Sequence, residues 1–112
     1  MADDATTWAR QQVTELKGPA VLEFGTEWCG YCRAFAPTLE SLLRQFPDVQ
    51  HFTVEDGPGQ PLGRSFGVKL WPTLVFLKDG QPLTQVARPD RRQALEGLQQ
   101  ISSPATASKT AE

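Results

Sequence analysis

Trp28-Cys29-Gly30-Tyr31-Cys32 holds both cysteines of the chain, with two residues between them. Only a thiolate is a competent nucleophile, and a free cysteine is mostly thiol at neutral pH, so chemistry at this pair needs something that lowers the cost of the charge. An apolar run, Ala20-Val21-Leu22-Glu23-Phe24-Gly25, enters the motif, and a helix-period run from Arg33 to Phe46 leaves it. Cys29 therefore stands at a strand-to-helix junction. Unpaired N–H groups and the positive end of a helix dipole favour a negative sulfur there, by roughly 0.3–2 kcal/mol. The spacing lets one thiol attack a disulfide and the other resolve the product. Trp28 and Gly30 give the pair an open, turn-like setting, which argues against two inert core cysteines. Zinc is the rival chemistry, but a closed structural site takes about four Cys or His ligands. The chain offers only Cys29, Cys32 and the single histidine, His51. No metal and no bound cofactor are expected.

The elements that must position this pair follow from the pattern of the chain. Trp8, Ala9, Val13 and Leu16 recur at helical spacing between Asp4 and Lys17, with Asp3, Asp4 or Thr6 to cap the start and Gly18-Pro19 to end it. Ala20 to Gly25 is short and apolar, as expected of a strand covered on both faces, and Glu23 is the anomaly within it. The second helix, Tyr31 to Phe46, carries Phe35, Leu39, Leu42, Leu43 and Phe46 on one stripe, with Pro37 in its interior to kink it. Val49 to Glu55 reads as a strand, Asp56 to Gly59 as a turn, and Pro61 to Phe66 as a short helix ending at Gly67. Trp71 to Leu77 and Pro82 to Ala87 form an antiparallel hairpin across Lys78-Asp79-Gly80-Gln81. Asp90-Arg91-Arg92-Gln93 fits a capping box, with Ala94, Leu95, Leu98 and Ile101 as the buried stripe of a last helix. This order calls for one mixed sheet with helices on both faces.

A chain of 112 residues is sized for one domain. It is read as residues 1–101, with 102–112 as a polar, disordered tail. Eleven basic and 13 acidic residues leave a formal charge of −2 without a dense basic run, so neither nucleic acid nor an anionic membrane is an expected partner. No signal-type leader and no apolar run of about 18 residues is present, so the chain reads as cytosolic.

The motif after an apolar strand, Pro37 in the following helix, and Pro72-Thr73 farther on together resemble the thioredoxin family over about residues 4–101. The resemblance implies an α/β thioredoxin fold, a central mixed sheet of about four strands flanked by helices. The family's first strand should be missing, since only Met1 to Asp3 precedes the first helix, and Trp8 could cover the exposed edge. It implies that Cys29 is the exposed attacking thiol and Cys32 the more buried resolving one. Glu23 falls where the family usually carries a buried aspartate that helps deprotonate the resolving cysteine. Flanked by Leu22 and Phe24, its ionisation should be disfavoured, as suits a general base. The basic partner of that acid looks absent, its position being taken by Thr53. Pro72 resembles the cis-proline that faces the dithiol, and Trp71 before it is larger than is usual. Trp28, Gly30, Tyr31, Trp71, Pro72 and Ala87 are the expected substrate-binding residues, the aromatics as an apolar rim. Tyr31 stands where proline is common, which predicts a potential less reducing than the roughly −270 mV of thioredoxin.

The expected function is therefore thiol–disulfide exchange that reduces protein disulfides, by a monomer recycled through a thioredoxin reductase or a glutathione system. A partner-binding module with dispensable cysteines, or a disulfide oxidase or isomerase, are the alternatives. His51 reads as a structural or surface histidine. Arg88, Arg91 and Arg92 could attract an acidic partner but read as a solvated helix start.

Overall fold

The computed structural model describes residues 9–102. Trp8, the proposed caps before it, the segment expected to lack the family's first strand and tail residues 103–112 lie outside them. Within the described residues the order is α1 (Arg10–Thr14), β1 (Pro19–Gly25), α2 (Gly30–Leu43), β2 (Gln50–Glu55), α3 (Pro61–Ser65), β3 (Thr73–Lys78), β4 (Gln81–Ala87) and α4 (Arg91–Ile101).

The sheet runs β2-β1-β3-β4. β1 lies parallel to β2 and antiparallel to β3, and β4 completes the hairpin. The two central strands are the most apolar, because each is roofed on both faces. Ala20, Leu22 and Phe24 of β1 join Val75 and Leu77 of β3 in one core with Val13 of α1 and Leu62 of α3. Val21, Leu74 and Phe76 join the opposite core, with Leu39 and Leu42 of α2 and Ala94, Leu98 and Ile101 of α4. Glu23 and Gly25 share the face of Val21, so the odd positions of β1 point toward the helix that begins at the dithiol.

Local chemistry sets the boundaries. Pro72 has no N–H to give a ladder, so β3 begins at Thr73 rather than at the expected Trp71. The hairpin turns through Asp79 at φ 51° and Gly80 at φ 79°, the paired positive torsions that match strand twist. A Cβ on Gly80 would stand 2.3 Å from the Thr14 carbonyl oxygen, so only glycine lets the hairpin tip pack on α1. Asp90 caps α4 by accepting from the Gln93 amide at 2.8 Å, while the Gln93 side chain accepts from the Asp90 amide at 3.0 Å, the expected capping box. α1 ends at Thr14, short of the expected Lys17. Ser102, assigned from sequence to the tail, is buried and donates its amide to Leu98 at 2.9 Å, so it closes the last helix.

Candidate functional site

Cys29 is the N-cap of α2, and its sulfur accepts a hydrogen bond from the Cys32 amide at 3.2 Å. A first-turn N–H with no partner inside the helix is thus spent on the sulfur. The expected order of exposure is reversed: Cys29 is only 6% exposed, whereas Cys32 is half-buried. Cys29 turns back onto the helix start, and Gly25 leaves the other flank of Cys32 open. A Cβ on Gly25 would lie 2.6 Å from Cys32 Sγ, so any larger residue would push that sulfur aside. The missing side chain helps open a cavity of about 310 Å³, whose walls include Glu23, Gly25, Cys32, Thr53 and Glu55.

Although the residue is partly open, burial of its sulfur pushes the Cys32 thiol up to about 12, helped by its hydrogen bond to Cys29 and by the charges of Cys29 and Glu23. A backbone hydrogen bond from Thr26 opposes the shift in part. Cys32 therefore keeps its proton near neutrality.

Glu23 lines the same cavity as Cys32, but it is not alone. His51 Nε2 lies 2.8 Å from Glu23 Oε1, and the glutamate side chain is 12% exposed. The basic partner sought at Thr53 is thus two residues earlier on the same face of β2. In the parallel register Thr53 is opposite Glu23 and His51 opposite Val21, and the two longer side chains meet across the diagonal. Sequence reading placed His51 far from the dithiol because that distance is long along the chain and short across the sheet. Its period-2 relation to Thr53 was the available signal.

Beyond the dithiol the Trp71–Pro72 bond is cis. Trp28 and Tyr31 are 70% and 60% exposed. Trp71 is half-buried, meets Trp28 edge-on at 5.6 Å and donates Nε1–H to Asp56 at 2.8 Å, so it belongs to the rim and is anchored there. Ala87, opposite Thr73 in the hairpin, is exposed and leads into Arg88. Arg88 is brought into the site against expectation: its guanidinium lies 3.9 Å above the Tyr31 ring, and its Nε donates to the Trp71 carbonyl at 2.9 Å. Asp56 and Arg88 are the residues that sequence reading left in a turn and in a solvated helix start. Among the described residues no cluster of three or more His, Cys, Asp or Glu side chains is placed to hold a metal ion.

The thioredoxin family model matches residues 3–100. A thioredoxin of Aspergillus fumigatus, Asp f 28, is 33% identical over 87 residues, 77% of this chain and 81% of that one. A thioredoxin of Rhodospirillum rubrum is 38% identical over 63% of this chain and 69% of its own. Among solved structures, reduced thioredoxin 2 of Pseudomonas aeruginosa is 47% identical with a TM-score of 0.76, over 87% of this chain and 91% of that one.

Proposed function

The chain belongs to the thioredoxin family, and on that premise we propose how its dithiol works. It is a thiol–disulfide oxidoreductase that reduces protein disulfides. Cys29 Sγ, as thiolate, attacks one sulfur of a substrate disulfide; that S–S bond breaks, a mixed disulfide forms, and the other substrate sulfur leaves as a thiolate. Glu23 then takes the proton of Cys32, and Cys32 Sγ attacks Cys29 Sγ. The second substrate thiolate leaves, and the protein holds a Cys29–Cys32 disulfide. Two electrons have passed to the substrate, whose two thiolates take up the proton held by Glu23 and one from solvent. Because Cys32 is held one helical turn from Cys29, resolution is intramolecular and outruns the return of substrate.

The observation that carries this reading is the unequal treatment of the two sulfurs: Cys29 receives a helix N–H at 3.2 Å while the Cys32 thiol is pushed up to about 12. Insulin reduction tests it. Cys29→Ser should abolish turnover, and Cys32→Ser should accumulate covalent mixed disulfides. Turnover retained in Cys29→Ser would refute the roles.

The oxidised form needs a reductant to return it to the dithiol, as the family does in general. A thioredoxin reductase or a glutathione system in the cytoplasm fits this role, with the chain acting as a monomeric electron carrier. No helix among the described residues is long and apolar enough to cross a membrane. Sedimentation at micromolar concentration should return the monomer mass.

A further inference from the structure

Arg88 is held where an arginine is costly. Its φ is 49°, in the left-handed region that non-glycine residues avoid, and it precedes Pro89, which biases the residue before it toward extended torsions. Three contacts offset that cost. The Arg88 amide donates to the Pro72 carbonyl at 2.7 Å, its Nε donates to the Trp71 carbonyl at 2.9 Å, and its guanidinium stacks at 3.9 Å on Tyr31, which lies between the cysteines. The side chain thus bridges the loop carrying the cis-proline and the start of α2. It is fixed over a cavity of about 300 Å³ lined by Tyr31, Ala34, Phe35, Pro72, Arg88 and Pro89. Among the described residues Arg88 has no carboxylate partner. A residue held in a strained torsion at a site, with its cation unspent, points to recognition.

We infer that Arg88 determines specificity: it selects disulfide-bearing segments that carry an Asp or Glu near the reactive cysteine and an apolar side chain to fill the cavity beside Tyr31. The carboxylate would meet the terminal nitrogens of a guanidinium already oriented by stacking, so little ordering remains to be done on binding. This rests on the reductase reading above and names the substrate chemistry of that same site. The cation stays off the reacting sulfurs and acts on which segment docks.

The test uses synthetic peptide disulfides that differ only in having Asp, Asn or Lys at each position flanking a Leu-Cys pair, with reduction rates measured for the reduced protein. At low salt the best Asp peptide should react about five- to tenfold faster than its Lys counterpart. That ratio should fall toward one at about 0.5 M salt, a readout that needs no variant. Arg88→Lys should keep part of the ratio, Arg88→Gln should remove it, and Arg88→Glu should invert it. Peptides all reduced at equal rates, or a ratio that survives Arg88→Gln, would overturn the inference and leave the reductase reading standing. If no peptide is reduced, both fall.

Discussion

Cys32 must lose a proton that its surroundings hold tightly. Folding raises its thiol from an ordinary 9.0 to about 12, so as pH rises the unfolded chain gives up this proton first. The resulting contribution to stability is fully present below about pH 9 and is lost as pH climbs toward 12. Denaturant midpoints of the reduced protein should therefore fall between about pH 9 and 11 more steeply than those of Cys32→Ser, whose titration lacks this group. Parallel curves would remove the assigned shift. The same tight proton makes a base necessary for resolution, and Glu23 shares the cavity wall with Cys32. Glu23→Gln should slow release of substrate from the mixed disulfide about 10²-fold, at the lower end of what a positioned base contributes. His51→Gln should slow it less, and the double variant should be no slower than Glu23→Gln, because His51 acts through the glutamate. Stopped-flow release kinetics for the three variants would show this, and multiplicative effects would disprove the coupling.

At the scale of elements, the distance between α4 and the sheet is set by one absent side chain. A Cβ on Gly97 would lie 2.4 Å from Cε2 of the Phe76 ring, which is itself completely buried. Alanine at a helix interior gains up to about 1 kcal/mol of propensity over glycine, but overpacking a fixed core costs about 1–3 kcal/mol. The clash wins. Gly97→Ala is expected to destabilise the fold by about 1–2 kcal/mol, read as a lower denaturation midpoint, and a stabilised variant would contradict the packing described. Elements governed by short-range chemistry were the legible ones. The capping box at Asp90, the hairpin at Asp79-Gly80 and the alternation in β2 are written within a few residues of where they act. Boundaries that depend on a partner strand, such as the start of β3 at Thr73, were not.

For the whole molecule the reduction potential compares two complete states, the dithiol and the disulfide, and any contact that favours the dithiol makes the protein less reducing. Tyr31 stands between the cysteines, and in the dithiol the Cys32 amide donates to the Cys29 sulfur at 3.2 Å. The potential is expected to lie above roughly −270 mV. Tyr31→Pro, which replaces the residue next to the resolving cysteine, should lower it by about 30 mV, the equivalent of about 1.4 kcal/mol. Equilibration with glutathione buffers measures both, and an unshifted Tyr31→Pro would detach this residue from the redox couple. By itself the sequence determined the cysteine pair, the strand and helix that present it, the order of elements and the aromatic residues around it, because each is encoded by type and spacing along a short stretch. Only the tertiary structure decided that His51 meets Glu23, that Gly25 opens the flank of Cys32 and that Arg88 lies over Tyr31. Those pairings join residues 28, 7 and 57 positions apart, and they depend on strand register and on space left by a missing side chain, which no local pattern records.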